Sequence, residues 1–220
     1  MKKITCAIAL ILLLLGCSSP KPAPDWTNAS FNDLDNYKKS YLTGKGRIAE
    51  AYFNRAVDEI KSSGDLDILA KAYLTKYAVH VAVLEPFDGG EYLKIEEVEP
   101  VGQNRIFYNF LTGSFEKVDE RFLPQQYARF FAAFQSGNTD DIAREISNMD
   151  NPLSRLIAVG LLVKKNVYNE KDLKLAIDTA SQNGWKKALL AYMGRLQTFY
   201  EKNNRPDKAA VVGEKIRLIE

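Results

Sequence analysis

The chain has 220 residues, 46% of them hydrophobic and 26% charged, with 30 basic against 28 acidic side chains and a formal net charge of +2. Such a balance lacks the concentrated basic surface that a nucleic-acid partner requires, yet is apolar enough to give one domain, or two small ones, a real core. Two cysteines, Cys6 and Cys17, and one histidine, His80, leave few residues for thiol or metal chemistry.

In chain order, Lys2 and Lys3 precede an apolar run from Ile4 to Leu15, which has the charged start and short hydrophobic core of an export signal. About a dozen residues is too few for a spanning helix, which needs roughly 20. The run ends in Leu14-Leu15-Gly16-Cys17. This stretch resembles the lipobox of bacterial lipoproteins, in which the cysteine is diacylated and then becomes the first residue by cleavage. The resemblance implies a signal peptide over 1–16 and lipidation at Cys17. Because Ser18 follows the cysteine, it also implies sorting to the periplasmic face of the outer membrane. Residues 17–29 read as the lipid anchor and a stiff, Pro-rich tether that holds a folded domain off the membrane. Two or three acyl chains, at about 0.8 kcal/mol per buried methylene, make such attachment effectively permanent. With Cys6 leaving in the signal and Cys17 carrying lipid, disulfides, thiol nucleophiles and cysteine-ligated zinc are not expected. Loss of Lys2 and Lys3 lowers the basic count from 30 to 28, equal to the 28 acidic residues.

Residues 30–84 predict an N-terminal helical part. Phe31, Leu34, Tyr37, Tyr41 and Leu42 have helical spacing, with Ser30 and Asp33 as a capping pattern. A second helix over 47–62 places Ile48, Ala51, Tyr52, Ala56, Val57 and Ile60 on its buried face. Across the turn at Gly64-Asp65, a third helix carrying Leu66, Leu69, Tyr73 and Tyr77 completes an antiparallel hairpin with it. His80 invites a catalytic or metal-binding role, but no second ligand lies nearby, and a partly buried imidazole with one hydrogen bond is expected.

Residues 85–123 break the helical rhythm at Pro86, Gly89-Gly90, Pro100, Gly102 and Gly113. Between these breaks, 92–95 and 106–111 have strand-like composition, which predicts a small insertion of extended segments or a β-hairpin. Its aromatics, Phe87, Tyr92, Phe107, Tyr108, Phe110 and Phe115, either line a pocket or cover the core of neighbouring helices, and the second use is the commoner. Glu96, Glu97 and Glu99 alternate with Ile95, Val98 and Val101 as a solvated edge would, with no facing histidine or Asp-x-Asp loop to suggest acid-base or cation chemistry.

Residues 124–220 predict C-terminal helical hairpins. Gln125 to Gln135 and Asp140 to Ser147 form one pair, and Pro152 opens a strongly apolar helix expected to be the central buried one. Helices around Leu173 to Ala180, from Trp185 to Lys202 and from Pro206 to Ile219 follow. The last two hairpins superpose at about 36 residues, Ala158 on Gly194 and Leu173 on Ala209, the length of a helix-turn-helix repeat. The closing segment, with Tyr200 nine positions before Ala209, resembles a tetratricopeptide-type hairpin, although Gln197 and Gly213 stand where a small residue and an aromatic are usual. The resemblance implies a mainly α fold of stacked antiparallel hairpins, similar to tetratricopeptide or α-solenoid proteins, whose concave face suits peptides and protein partners.

The functional expectation is a membrane-anchored, non-enzymatic scaffold or adaptor for an envelope protein complex. The alternative is a binding module for a small apolar or glycan ligand through the aromatic-rich insertion. An envelope hydrolase would need paired carboxylates in a groove, and the sequence supplies none. No catalytic residue, metal ligand or cofactor is expected.

Overall fold

The computed structural model describes residues 25–220, which form eleven α-helices and two short 3-10 turns. Cys17 and the signal segment lie outside the described residues. Helices α1 (Asp25–Leu42), α2 (Gly46–Ser63) and α3 (Leu66–Ala82) pack on one another. Their cross-links show that neighbours run antiparallel: Arg55 pairs with Asp33 at 2.7 Å, and Lys76 with Glu50 at 2.7 Å. The tether expectation is corrected here, since residues 25–29 are already helical. Ser30 does not cap α1 but sits inside it, buried, its hydroxyl donating to the Thr27 carbonyl at 3.1 Å, a local bond that lets serine persist mid-helix. The buried face of α2 is also corrected, to Ala49, Phe53, Ala56, Val57 and Ile60. Ile48 is 51% exposed and Ala51 faces solvent. Two apolar stripes compete along α2, and the one containing Phe53 takes the core.

The insertion over 85–123 is the larger correction, because no strand occurs among the described residues. Residues 92–95 belong to α4 (Gly90–Val98) and 106–111 to α5 (Gly102–Thr112), followed by 3-10 turns at Phe115–Lys117 and Glu120–Phe122. The buried positions Tyr92, Ile95 and Glu96 have helical spacing. Strand preference of tyrosine, phenylalanine and isoleucine reflects fit to a pleated surface, and a segment without a partner strand satisfies its backbone only as helix. The reading of Glu96 as part of a solvated edge fails with it. Glu96 is buried, accepts the Tyr92 hydroxyl at 2.6 Å and pairs with Arg105 at 3.0 Å, the partners a covered carboxylate requires; Glu97 and Glu99 are exposed. The aromatics of this region cover their neighbours. Phe87 stacks on Tyr77 of α3 with centroids 4.6 Å apart, Tyr108 stacks on Tyr92 at 4.7 Å, and the fully buried Phe110 lies among Tyr127, Phe130 and Phe131.

Helices α6 (Gln125–Ser136) and α7 (Thr139–Ser147) lead to α8 (Pro152–Lys164), where every residue from Leu156 to Leu162 is buried. Asn151 starts it, its side chain accepting from the Leu153 and Ser154 N–H groups ahead of the proline turn. This is the central helix, with α3 on one side and α6, α7 and α9 on others. Then α9 (Glu170–Gln182), α10 (Lys186–Lys202) and α11 (Pro206–Ile219) follow, each packing on the next. Tyr200 near the end of α10 donates to Glu170 at the start of α9, 2.8 Å away, and Lys186 at the start of α10 donates to the Glu220 carbonyl after α11, also at 2.8 Å; consecutive helices therefore run antiparallel. Tyr200 and Ala209 are both buried and Lys208 is exposed. Among the described residues, no helix is long and apolar enough to cross a membrane.

One contact decides how closely α3 and α8 approach. A Cβ on Gly160 would stand 2.3 Å from the Val81 carbonyl oxygen, so only hydrogen fits between the two backbones. Gly160→Ala is expected to destabilise the protein by about 1–3 kcal/mol, because the obstacle is backbone and not a movable side chain. Gly194→Ala, whose added methyl meets nothing within 4 Å inside α10, should instead stabilise by about 0.5–1 kcal/mol. Urea midpoints of the two variants test the pair, and a Gly160→Ala midpoint at or above that of the parent would contradict the crossing.

Candidate functional site

Six helix ends among the described residues close in the same way: a residue with positive φ is followed by an N–H that reaches back five positions to a carbonyl of the last turn. Five use Gly44, Gly113, Gly184, Asn166 or Asn204, residues that tolerate the left-handed region, and the sixth uses Leu84 at φ 60°. A left-handed leucine costs about 1–2 kcal/mol. At this end of α3 the Glu85 N–H donates to the His80 carbonyl at 2.9 Å and the Leu84 N–H to the Val81 carbonyl at 3.1 Å. The turn delivers Glu85 to the place where α1, α3 and α10 meet.

The Glu85 carboxylate accepts the Tyr41 hydroxyl from α1 at 2.6 Å and meets the Lys187 ammonium from α10 at 2.9 Å, both through Oε2. The Lys187 Nζ also lies 3.7 Å from the Tyr41 ring centroid, a cation held over an aromatic face. His80 packs its ring 4.8 Å from that of Tyr41, and its Nδ1 lies 3.1 Å from the Pro86 carbonyl. A carbonyl accepts only, so Nδ1 carries the proton. Nε2 is buried without a partner among the described residues, as is the hydroxyl of Tyr37 beneath. Burial pulls the His80 pKa below its ordinary value, only partly opposed by the Pro86 carbonyl. Burial would raise that of Glu85, but the Tyr41 hydrogen bond and Lys187 outweigh it and hold the carboxyl below its usual range. Burial and Glu85 push the Tyr41 phenol up. Burial thus favours the neutral forms of His80 and Tyr41, and the two partners of Glu85 favour its charged form. The network is a clamp joining three elements.

Beside the clamp opens a groove of about 320 Å³. Its apolar floor is Val81, Gly160 and Val163, its wall Leu84 and Pro86, and its polar rim Glu85, Lys164 and Arg195. Lys164 Nζ donates to the Leu111 carbonyl at 3.1 Å and lies 5.0 Å from the Phe87 ring, and burial there lowers its pKa. The groove thus exists because Gly160 brings α3 and α8 together while Leu84 turns the chain away.

His80 stands where the sequence predicts, partly buried with one firm hydrogen bond. Glu96, Glu97 and Glu99 contribute nothing to this rim, and of the six aromatics only Phe87 reaches it, beneath Lys164. Sequence reasoning misses Leu84, Glu85, Lys164, Lys187 and Arg195, which carry no local signature. Gly160 does carry one, since a glycine inside an apolar helix signals close approach of another backbone. A second charged cluster joins α9 to α10: Glu170 meets Tyr200 at 2.8 Å, Lys174 at 2.8 Å and Arg205 at 2.7 Å, and Lys174 and Tyr200 bring its pKa down to about 2. Among the described residues, no group of three or more His, Cys, Asp or Glu side chains is placed to hold a metal ion. Comparison of the chain with protein-family models, curated proteins and solved structures finds no match.

The clamp has a pH signature. Because the folded-state pKa of Glu85 is depressed from 4.5, its stabilisation is fully present above that pH and is lost as pH falls through the folded value. Glu85→Gln should lower the urea midpoint at pH 7 by less than about 1 kcal/mol equivalent, the carboxylate being partly solvated. The difference from the parent should shrink as pH falls below 4.5. An undiminished difference at pH 3 would show that the charge of Glu85 is not what holds the clamp.

Proposed function

We propose that this protein is a lipid-anchored envelope protein, attached through Cys17 and facing the periplasm from the outer membrane, that acts as a non-enzymatic helical scaffold or adaptor for a protein complex. The observation that carries the reading is the serial packing of α8, α9, α10 and α11, with α9 and α10, and α10 and α11, antiparallel. Stacked helical hairpins of the tetratricopeptide kind offer long surfaces and grooves between helices where partner segments dock. The buried pair Tyr200 and Ala209 suits such a hairpin, and the Leu14-Leu15-Gly16-Cys17 stretch supports the anchor. The Tyr41–Glu85–Lys187 network beside the groove is consistent with this reading, because it joins helices. A pocket lined by the aromatics of residues 85–123 finds less support, since those rings pack on α3, on α6 and on each other.

Cys17→Ser should abolish incorporation of radiolabelled fatty acid and release the protein from the membrane fraction. Label persisting in that variant would remove the anchor. For the adaptor role, envelope proteins that co-purify with this chain should lose their association with one another in a strain lacking it. An association that survives the deletion would contradict the role.

A further inference from the structure

The groove between α3 and α8 has a charge pattern that its own network leaves unanswered. Arg195 lies on its rim, half-buried, and forms no hydrogen bond or ion pair with any described residue. Arg47 and Arg129 also lack partners, but both are exposed to water, which solvates a guanidinium at no cost. Lys164, whose residue is exposed like those two, has as protein partners only the Leu111 carbonyl and the face of Phe87. The sole carboxylate of the rim, Glu85, is engaged through Oε2 by Tyr41 and Lys187, while Oε1 accepts no hydrogen bond from a described residue. One half-buried cation without a counter-ion, Arg195, thus lies on an apolar groove beside the exposed Lys164 ammonium and one free acceptor. The wall is the strained Leu84, kept where glycine or asparagine closes the other ends of this type. Strain retained at a cleft points to use of the cleft.

We infer that this groove binds the C-terminal carboxylate of a protein chain ending in an aliphatic residue. The α-carboxylate would pair with Arg195 and Lys164, the guanidinium offering a planar fork suited to it. The terminal side chain would rest on Leu84, Pro86 and Val163, and the terminal N–H would donate to Glu85 Oε1. One chain-terminal residue supplies all three groups. An internal aspartate or glutamate brings the charge without an aliphatic group on the same residue. A small free acid is disfavoured because the space is a partly open groove and not an enclosed cavity, whereas pockets for small ligands bury most of the ligand surface. A peptide leaves through the opening and gains contacts beyond it. The inference deepens the adaptor reading and rests on it for the nature of the partner. Peptide binding is measured on the purified protein, so it can fail or succeed independently of any envelope complex.

The test uses the full-length protein in detergent micelles and a pool of hexapeptides, randomised except for a terminal leucine or valine, prepared both as free acids and as C-terminal amides. Retention by immobilised protein is read by mass spectrometry. The free-acid pool should be retained about tenfold or more over the amide pool, the loss expected for a charge-assisted hydrogen bond. Arg195→Gln should remove that preference, and Arg129→Gln should leave it intact. Should Arg195→Gln lower the urea midpoint, Arg195→Lys, which keeps the charge and loses the fork, must still weaken retention. Equal retention of acid and amide, or an unchanged preference in both Arg195 variants, would overturn the assignment. So would displacement of the peptides by 4-methylpentanoate as effectively as by the peptide acids, since the groove would then belong to a small acid.

Discussion

The rest of the structure depends on the crossing of α3 and α8 with nothing but a glycine hydrogen between their backbones. Val81 and Gly160 are 79 positions apart in the chain, and their contact brings the α1–α3 layer against the helices that end the molecule. A crossing this close gains from backbone packing that longer side chains would prevent. It also sets the position of whatever leaves the ends of both helices. Leu84 and Glu85 leave α3 here, and Lys164 lies in the last turn of α8, so the groove is formed by the same contact that unites the fold.

The clamp around Glu85 reads as the consequence of that geometry. Once α3 ends against α8, its next residues must turn sharply, and the left-handed Leu84 does so at a cost that glycine would have avoided. In return, Glu85 reaches both Tyr41 and Lys187. A carboxylate between a phenol and an ammonium satisfies three polar groups drawn from α1, the α3–α4 connection and α10. His80 fits the same logic, its protonated nitrogen turned to the Pro86 carbonyl. The histidine helps hold the turn, and its neutral form at physiological pH follows from its burial.

Much of the helical architecture was legible in the sequence, because long periodic segments with clear ends state their own structure. The helix Pro206–Ile219 has proline at its start, and α8 is apolar on all sides and therefore central. Residues 92–95 and 106–111 misled because aromatic and β-branched composition was weighed above spacing; Phe107, Phe110 and Leu111 already carried the helical interval. Ser30 misled because a capping pattern can also fall inside a helix. The groove was hardly legible. Glu85, Lys164, Lys187 and Arg195 are ordinary surface-type residues, and only tertiary packing puts them on one rim; Leu84 gives no hint of a left-handed backbone. Gly160 was passed over as well, although a glycine inside an otherwise apolar helix is the one local signal the groove offers.

The central claim is that the α3–α8 contact makes residues 25–220 one cooperative unit. The two tryptophans are placed to test it, Trp26 in α1 and Trp185 at the start of α10, both packed against the core. Urea unfolding of Trp26→Phe and Trp185→Phe, each followed by the remaining tryptophan and by far-ultraviolet circular dichroism, compares the two ends directly. Within each variant, fluorescence and circular dichroism should give one coincident transition. A tryptophan signal that changes at a different urea concentration from the helical signal would show two independently folding parts, and the crossing would lose its role as the joint of the molecule.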